Sequence, residues 1–195
     1  MREYRHGDDV RRVHWRSTAR RGELMVRREE QAWDPRVSVL VDNRTSAHAG
    51  VGRGNSMEYA VSCAASIACH FVAESFDASL YDADGVMASS TTTQVGRRHI
   101  ISTYTDLKAS DSTNLLTGIG AVSSDTSGQV LVAVLGRITQ ADADALVRSR
   151  RSHSHGLAIV IDVDSFSSTL SEHRTEHEKA VGVLRSNLWR VVEVD

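Results

Sequence analysis

The sequence predicts an α/β domain on a doubly wound, mostly parallel sheet with helices on both faces, preceded by an arginine-rich appendage. Three observations carry that expectation. Residues 37–44 (VSVLVDNR), 129–135 (QVLVAVL) and 156–163 (GLAIVIDV) are apolar runs of strand length, as strands covered on both faces are. Segments of helical periodicity separate them, and single helices between strands act as crossovers that make neighbouring strands parallel. The one proline, Pro35, stands just ahead of the first run and divides an appendage, residues 1–34, from a domain, residues 35–195.

The elements follow in chain order. In the appendage, Asp9 is placed to cap a short helix on which Arg12, Arg16 and Arg20 recur every four residues. Gly22 suits a left-handed helix end, and Leu24–Arg28 an extra strand. After the first strand and a glycine-rich loop, Asn55 stands three before Glu58, the spacing of a capping box. Met57, Val61, Ala64, Ala68, Phe71 and Val72 then form one apolar stripe to about residue 74. A strand is expected at Ala78–Tyr81, a polar stretch over residues 89–94, and a weaker strand at His99–Tyr104. Ser112–Val122 reads as a helix. Thr139, with Asp142 third after it, caps another helix that runs to about Arg150. Thr175 and Glu178 make a further capping box ahead of Ala180, Val181 and Leu184, and Trp189–Val194 is the last strand.

Composition excludes some classes of function. A 41% hydrophobic and 25% charged chain is not disordered, and a net charge of −2 gives no bulk attraction for nucleic acid or anionic membrane. That average hides an asymmetry. Residues 1–28 carry nine arginines against Glu3, Asp8, Asp9 and Glu23, an excess of +5, which leaves −7 on the rest. Tyr4, His14 and Trp15 interleave with the arginines, yet the segment matches no nucleic-acid fold signature, and no nucleic-acid partner is expected. Cys63 and Cys69 lie on different sides of one helix, cannot bridge, and read as small buried residues of a reducing compartment. No run of about 18 apolar residues exists and the start is polar, so this stretch is expected in the cytoplasm, without membrane insertion.

In an open parallel sheet, ligands sit beyond the carboxyl ends of the strands, where the strand order reverses. The first strand delivers Asp42-Asn43-Arg44-Thr45-Ser46 to that edge. Asp42 and Ser46, with Thr113 from the run Ser110–Asn114, offer oxygen ligands of the kind a hard cation such as Mg²⁺ takes. The plainer reading is that Asp42 pairs with Arg44 or caps nearby backbone.

Residues 36–195 resemble a von Willebrand A domain. Its metal-ion-dependent adhesion site uses an Asp-x-Ser-x-Ser loop after the first strand, completed by a threonine and an aspartate from later loops. Asp42 and Ser46 match the ends of that loop, and Thr113 matches the threonine. Arg44 stands where the first serine belongs, and Gly136-Arg137 follows the strand whose end would supply the aspartate. A guanidinium in that place puts its own charge where the cation would sit. The expectation is therefore a degenerate metal site and no cofactor, with Mg²⁺ the only candidate.

The ordered block from Gly7-Asp8-Asp9 through Trp15 to Ala19-Arg20-Arg21-Gly22-Glu23-Leu24 resembles the signature of a bacterial family, domain of unknown function 58. In that family such a block precedes a von Willebrand A-like domain. The resemblance implies a longer membrane-anchored parent, with this part on the cytoplasmic side, an association with a MoxR-type AAA+ ATPase, and no established enzymatic activity. The function expected is a non-catalytic protein-binding scaffold. Asp8, Asp9, Arg11, Arg12, His14, Trp15, Arg16, Arg20 and Arg21 are its candidate partner-binding residues, since guanidinium forks suit an acidic surface. These arginines would otherwise pair with the domain's own acidic excess. The alternative function is a module gated by Mg²⁺ or a nucleotide at the loop after the first strand.

Three other motifs invite chemistry and are set aside. Gly50-x-Gly52-x-Gly54 misplaces its third glycine for a dinucleotide loop and begins eight residues after Asp42. His173-Arg-Thr-Glu176-His177 has the spacing of an inverted zinc-peptidase motif, but a cap at Thr175 would leave His173 outside the helix. His153 and His155 sit in a polar turn and read as solvated. No nucleophile elbow is present, so no enzyme activity is expected.

Overall fold

A six-stranded sheet carries the larger part of the molecule, in the order β3-β2-β1-β4-β5-β6. Its strands are β1 (Arg36–Val41), β2 (Asp77–Asp82), β3 (Gly85–Ala88), β4 (Val130–Leu135), β5 (His155–Ile161) and β6 (Arg190–Val194). All neighbours run parallel except β3, which turns back antiparallel on β2. The computed structural model describes residues 2–3, 18–20, 22–23, 25–26, 35–88, 96–125, 129–150, 155–167 and 173–194. The chain divides into two compact units, Met1–Trp33 and Asp34–Asp195.

Among the described residues five helices accompany the sheet: α1 (Ser56–Ala73), α2 (Arg97–Thr105), α3 (Leu116–Ser124), α4 (Gln140–Ser149) and α5 (Arg174–Ser186). The continuous apolar runs of β1 and β4 are explained by burial on both faces. Leu40, Leu131, Ala133 and Leu135 point into one core layer with Ile119, Leu146 and Leu184 of α3, α4 and α5. Their alternating neighbours Val37, Val39, Val41, Val132 and Val134 meet Ala60, Ala64 and Ala68 of α1 and Ile100 of α2. The sheet is thus doubly wound, with the order reversing between β1 and β4. Three helices cover one face and two the other, and Val192 on the outermost strand keeps 39% exposure.

Local chemistry sets the helix ends. The Asn55 side chain accepts the Glu58 amide at 2.8 Å and opens α1 as its spacing predicts. The most buried row of α1 is Ser56, Ala60, Ala64 and Ala68, whereas Val61, Phe71 and Val72 flank it half-buried. Small residues let the helix backbone lie close on the valines of the sheet, so the stripe of larger residues is displaced to its sides. Cys63 and Cys69 are free thiols and half-buried, not fully buried.

Three expectations are corrected. His99–Tyr104 is not a strand: it lies within helix α2, where Ile100 and Tyr104, one helical turn apart, supply the buried contacts. The helix expected at Ser112–Val122 runs Leu116–Ser124, because residues 110–115 make loop contacts to Asp84, Arg44 and Asp142 instead. Helix α5 starts at Arg174, with His173 at the cap position and no side-chain cap, so Thr175 falls inside the first turn. The Arg174–Glu178 pair at 3.0 Å, four residues apart, links the helix's first two turns. Strand β3 was not anticipated, and the polar stretch 89–94 lies outside the described residues.

Two close approaches demand glycine. A Cβ at Gly118 would lie 2.1 Å from the Asp82 carbonyl oxygen, so α3 presses directly on the end of β2. A Cβ at Gly136 would lie 2.4 Å from the carbonyl oxygen of Ala47, which locks the loop after β4 against the loop after β1. On β5, the indole of Trp189 lies against Gly156, where a Cβ would come within 2.8 Å of it. Trp189 is 4% exposed and its Nε1 has no hydrogen-bond partner among the described residues.

In the first unit, Arg2–Glu3 pairs antiparallel with Met25–Val26, within the span expected to add a strand. Thr18–Arg20 form a helical turn closed by Gly22, which takes φ +75° and donates its amide to the Thr18 carbonyl at 2.9 Å. Gly22 thereby fills the left-handed role read from the sequence. The expected cap at Asp9 and the stripe residues Arg12 and Arg16 lie outside the described residues.

Candidate functional site at the strand ends

At the reversal point between β1 and β4, the chain leaving β1 turns Arg44 back into the protein. The side chain is 2% exposed, and Arg44 is the largest fully buried residue of the sheet unit among the described residues. Its Nε donates to Asp42 Oδ1 and its Nη2 to Asp42 Oδ2, both at 2.8 Å, a two-point fork. Nη2 also donates to the Arg137 carbonyl at 3.1 Å. Nη1 donates to Asp142 Oδ2 at 3.2 Å and, at a longer 3.5 Å, to the Thr113 carbonyl. All five guanidinium donors are therefore directed at acceptors within the domain.

The pairing of Asp42 with Arg44, the plainer of the two readings of this loop, is what the fold contains. Burial alone would disfavour the Arg44 charge, but the hydrogen bonds and charge of Asp42, reinforced by Asp142, outweigh it and hold its pKa above the ordinary value. Asp142 is the residue sequence reasoning missed. It appeared only as the third residue of the Thr139 capping box, and that box is present. The same carboxylate also accepts the Leu115 amide at 2.9 Å, so it joins the start of α4, the loop before α3 and Arg44.

The predicted ligand residues are brought to one edge, in unequal states. Asp42 is fully buried. Ser46 lies exposed in the short 3₁₀ turn Thr45–Ala47. Thr113 has an exposed side chain and contributes its backbone carbonyl to Arg44. Asn43 fixes the surrounding loops, donating to the Lys108 carbonyl at 2.8 Å and accepting the Ala83 amide at 2.9 Å. His48 closes the far side of the loop: its Nε2 meets the Asp42 carbonyl at 2.6 Å, which makes Nε2 the donor, and its Nδ1 meets Ser56 Oγ at 3.0 Å. Burial lowers the pKa of His48 and favours the neutral ring. Thr45, Ser46, Val51, Thr113, Asn114 and Leu116 stay exposed around this edge, with Val51 at 91%.

A concavity of about 310 Å³ opens at the carboxyl ends of β5 and β6, away from the reversal point, lined by Asp162, Asp164, Arg174, His177, Glu178 and Glu193 among others. Its charges are largely matched: Arg137 pairs with Asp164 at 2.7 Å, Arg174 with Glu178, and Arg185 with Glu193 at 2.6 Å. His177 Nδ1 accepts the Ile138 amide at 3.1 Å, and burial lowers its pKa. With that nitrogen engaged and His173 77% exposed, the two histidines of the His173–His177 motif have separate environments. Among the described residues no group of three or more His, Cys, Asp or Glu gathers as a metal site. Gly50 and Gly52 take left-handed φ values of +93° and +69° in a long loop between β1 and α1, not in the tight turn a dinucleotide needs. His155 is exposed at the start of β5, and His153 lies outside the described residues.

Of the nine candidate partner-binding residues, Arg20 is described and is exposed; Asp8, Asp9, Arg11, Arg12, His14, Trp15, Arg16 and Arg21 lie outside the described residues. No helix among the described residues is long and apolar enough to cross a membrane.

The fold and the edge define a doubly wound α/β domain whose strand-order reversal point is filled by a salt-bridged arginine. The chain belongs to the DUF58 family of proteins of unknown function, whose family model matches residues 1–173. A search of curated proteins finds none that matches the chain.

Proposed function

We propose that this chain is a non-catalytic protein-binding scaffold of von Willebrand A-like plan. In this reading it works at the cytoplasmic face of a membrane with a MoxR-type AAA+ ATPase. One observation carries the non-catalytic part: Arg44 fills the place where an open α/β sheet holds its ligand, and spends its donors inside the domain. The strand-end surface around it, with Ser46, Val51, Thr113 and Leu116 exposed, supplies a contact area of mixed polar and apolar character. The von Willebrand A-like plan is supported by the Asp42–Ser46 loop at the end of the central strand and by the antiparallel edge strand β3. The ATPase partner rests on the family resemblance, and the arginine-rich block is assigned the charge-based share of that contact.

Affinity capture from the native host tests the reading, using the full chain beside a version lacking residues 1–30, at two salt concentrations. The expected result is an AAA+ ATPase recovered with the full chain and lost at high salt or on truncation. Equal recovery with both would move the contact to the sheet unit. No ATPase with either folded version would overturn the proposed partnership.

A further inference from the structure

We propose that Arg44 is a tethered cation that permanently fills what is otherwise a hard-cation site, so that this edge of the domain is set without any divalent metal. The inference stands on the geometry alone and is independent of the ATPase reading.

The acceptors around the guanidinium form the donor set of a hard metal. The carboxylates of Asp42 and Asp142 and the backbone carbonyls of Thr113 and Arg137 are all oxygens, from four separate segments of the chain. Such a set, two carboxylates and two carbonyls converging on one buried point, leaves an uncompensated negative charge unless a cation sits among them. In this chain the cation is covalently attached. Arg44 leaves the chain two residues after Asp42 and returns its charge to the centre, with 2% of its surface exposed.

Two consequences separate a tethered cation from a bound one. A bound ion exchanges with solvent and keeps open positions that a partner's carboxylate can complete; Arg44 can do neither, since its donors are used within the domain. The fixed charge also cannot be removed by a chelator. The residues therefore do not fit an exchangeable Mg²⁺ in the protein as it stands, and gating of this edge by Mg²⁺ is not part of its repertoire. Cutting Arg44 back to the β-carbon would leave these five acceptor oxygens facing each other with two carboxylate charges uncompensated, and a divalent ion would take that place.

The test uses the full chain as wild type, Arg44→Ala, Arg44→Lys and the double variant Arg44→Ala with Asp142→Asn. Binding of Mn²⁺, Mg²⁺ and Ca²⁺ is read by calorimetry, by thermal shift and, for Mn²⁺, by electron paramagnetic resonance. Wild type and Arg44→Lys are expected to show no stoichiometric binding and the same melting temperature in chelator and in millimolar metal. Arg44→Ala is expected to bind about one equivalent, with a melting temperature that rises with metal concentration as binding linkage requires. The double variant is expected to lose that response. If Arg44→Ala is unfolded without metal, recovery of the fold on adding a divalent ion supports the proposal. A folded Arg44→Ala that binds no metal, or one that stays unfolded in every cation, would overturn it. So would stoichiometric metal in the wild type that is lost with Asp42→Asn.

Discussion

Asp142 and Arg44 are 98 positions apart in the chain and meet at 3.2 Å with 0% and 2% of their side chains exposed. The contact makes a helix cap and a buried ion pair out of one carboxylate. Thr139 shares the cap but not the pair: its hydroxyl accepts the Asp142 amide at 3.2 Å. The two residues should therefore differ sharply on truncation. Thr139→Ala is expected to cost about 1 kcal/mol, the ordinary value of a cap. Asp142→Ala is expected to cost more, roughly 2–5 kcal/mol, because the buried Arg44 Nη1 and the buried Leu115 amide both lose their carboxylate acceptor. Urea denaturation of both variants decides it, and equal losses would mean that Asp142 acts as a cap alone.

Helix α3 offers a control within itself. Gly118 lies against the Asp82 carbonyl, whereas a Cβ at Gly120 would meet nothing within 4 Å. Gly120→Ala is expected to stabilise by about 0.5–1 kcal/mol through helix propensity. Gly118→Ala is expected to destabilise by about 1–3 kcal/mol, since the obstruction is backbone and cannot rotate away. Melting temperatures moving in opposite directions are the expected sign.

Leu188 has φ +64° just past the end of α5 and is 79% exposed. A leucine in that conformation is strained, and its side chain recovers little by burial. Leu188→Gly is expected to raise stability by about 0.5–1 kcal/mol, measured by thermal or chemical unfolding. A loss instead would show that the exposed leucine makes a stabilising contact.

His177 gives a pH dependence whose sign follows from its lowered pKa. Burial, with its Nδ1 accepting the Ile138 amide, keeps the folded ring neutral. The unfolded chain takes up the proton first, near pH ~6.5. The contribution of His177 is therefore complete above that pH and is lost as pH falls toward the depressed folded value. The stability gap between wild type and His177→Gln, followed by urea midpoints from neutral to mildly acidic pH, is expected to shrink on acidification. A constant gap would contradict this role.

The sheet was legible in the sequence because burial on both faces leaves a plain mark. Val39, Leu40 and Val41 of β1 are all at 0% exposure, with only the small Ser38 between them and Val37, and burial on both faces favours such a nearly continuous apolar run. Caps were legible for a similar reason: Asn55 and Thr139 act through hydrogen bonds spanning three residues. Helix α2 was misread because its two deeply buried positions, Ile100 and Tyr104, leave too short a pattern to separate from alternation. Of the site, Asp42 and Arg44 lie two apart and their pairing could be anticipated. Asp142 could not be, since its contact with Arg44 depends on β1 and β4 being neighbours. Local spacing carries no record of that.

The seating of Trp189 on Gly156 has a spectroscopic consequence. The chain holds three tryptophans, and with Trp15 and Trp33 changed to phenylalanine, the indole against β5 becomes the sole tryptophan emitter, excited selectively at wavelengths that tyrosine does not absorb. Its fluorescence would then report directly on whether β6 and the end of α5 are docked. Circular dichroism would follow the backbone as a whole. Any state that keeps its helices but loosens this margin of the sheet becomes visible as a change of colour before a change of shape.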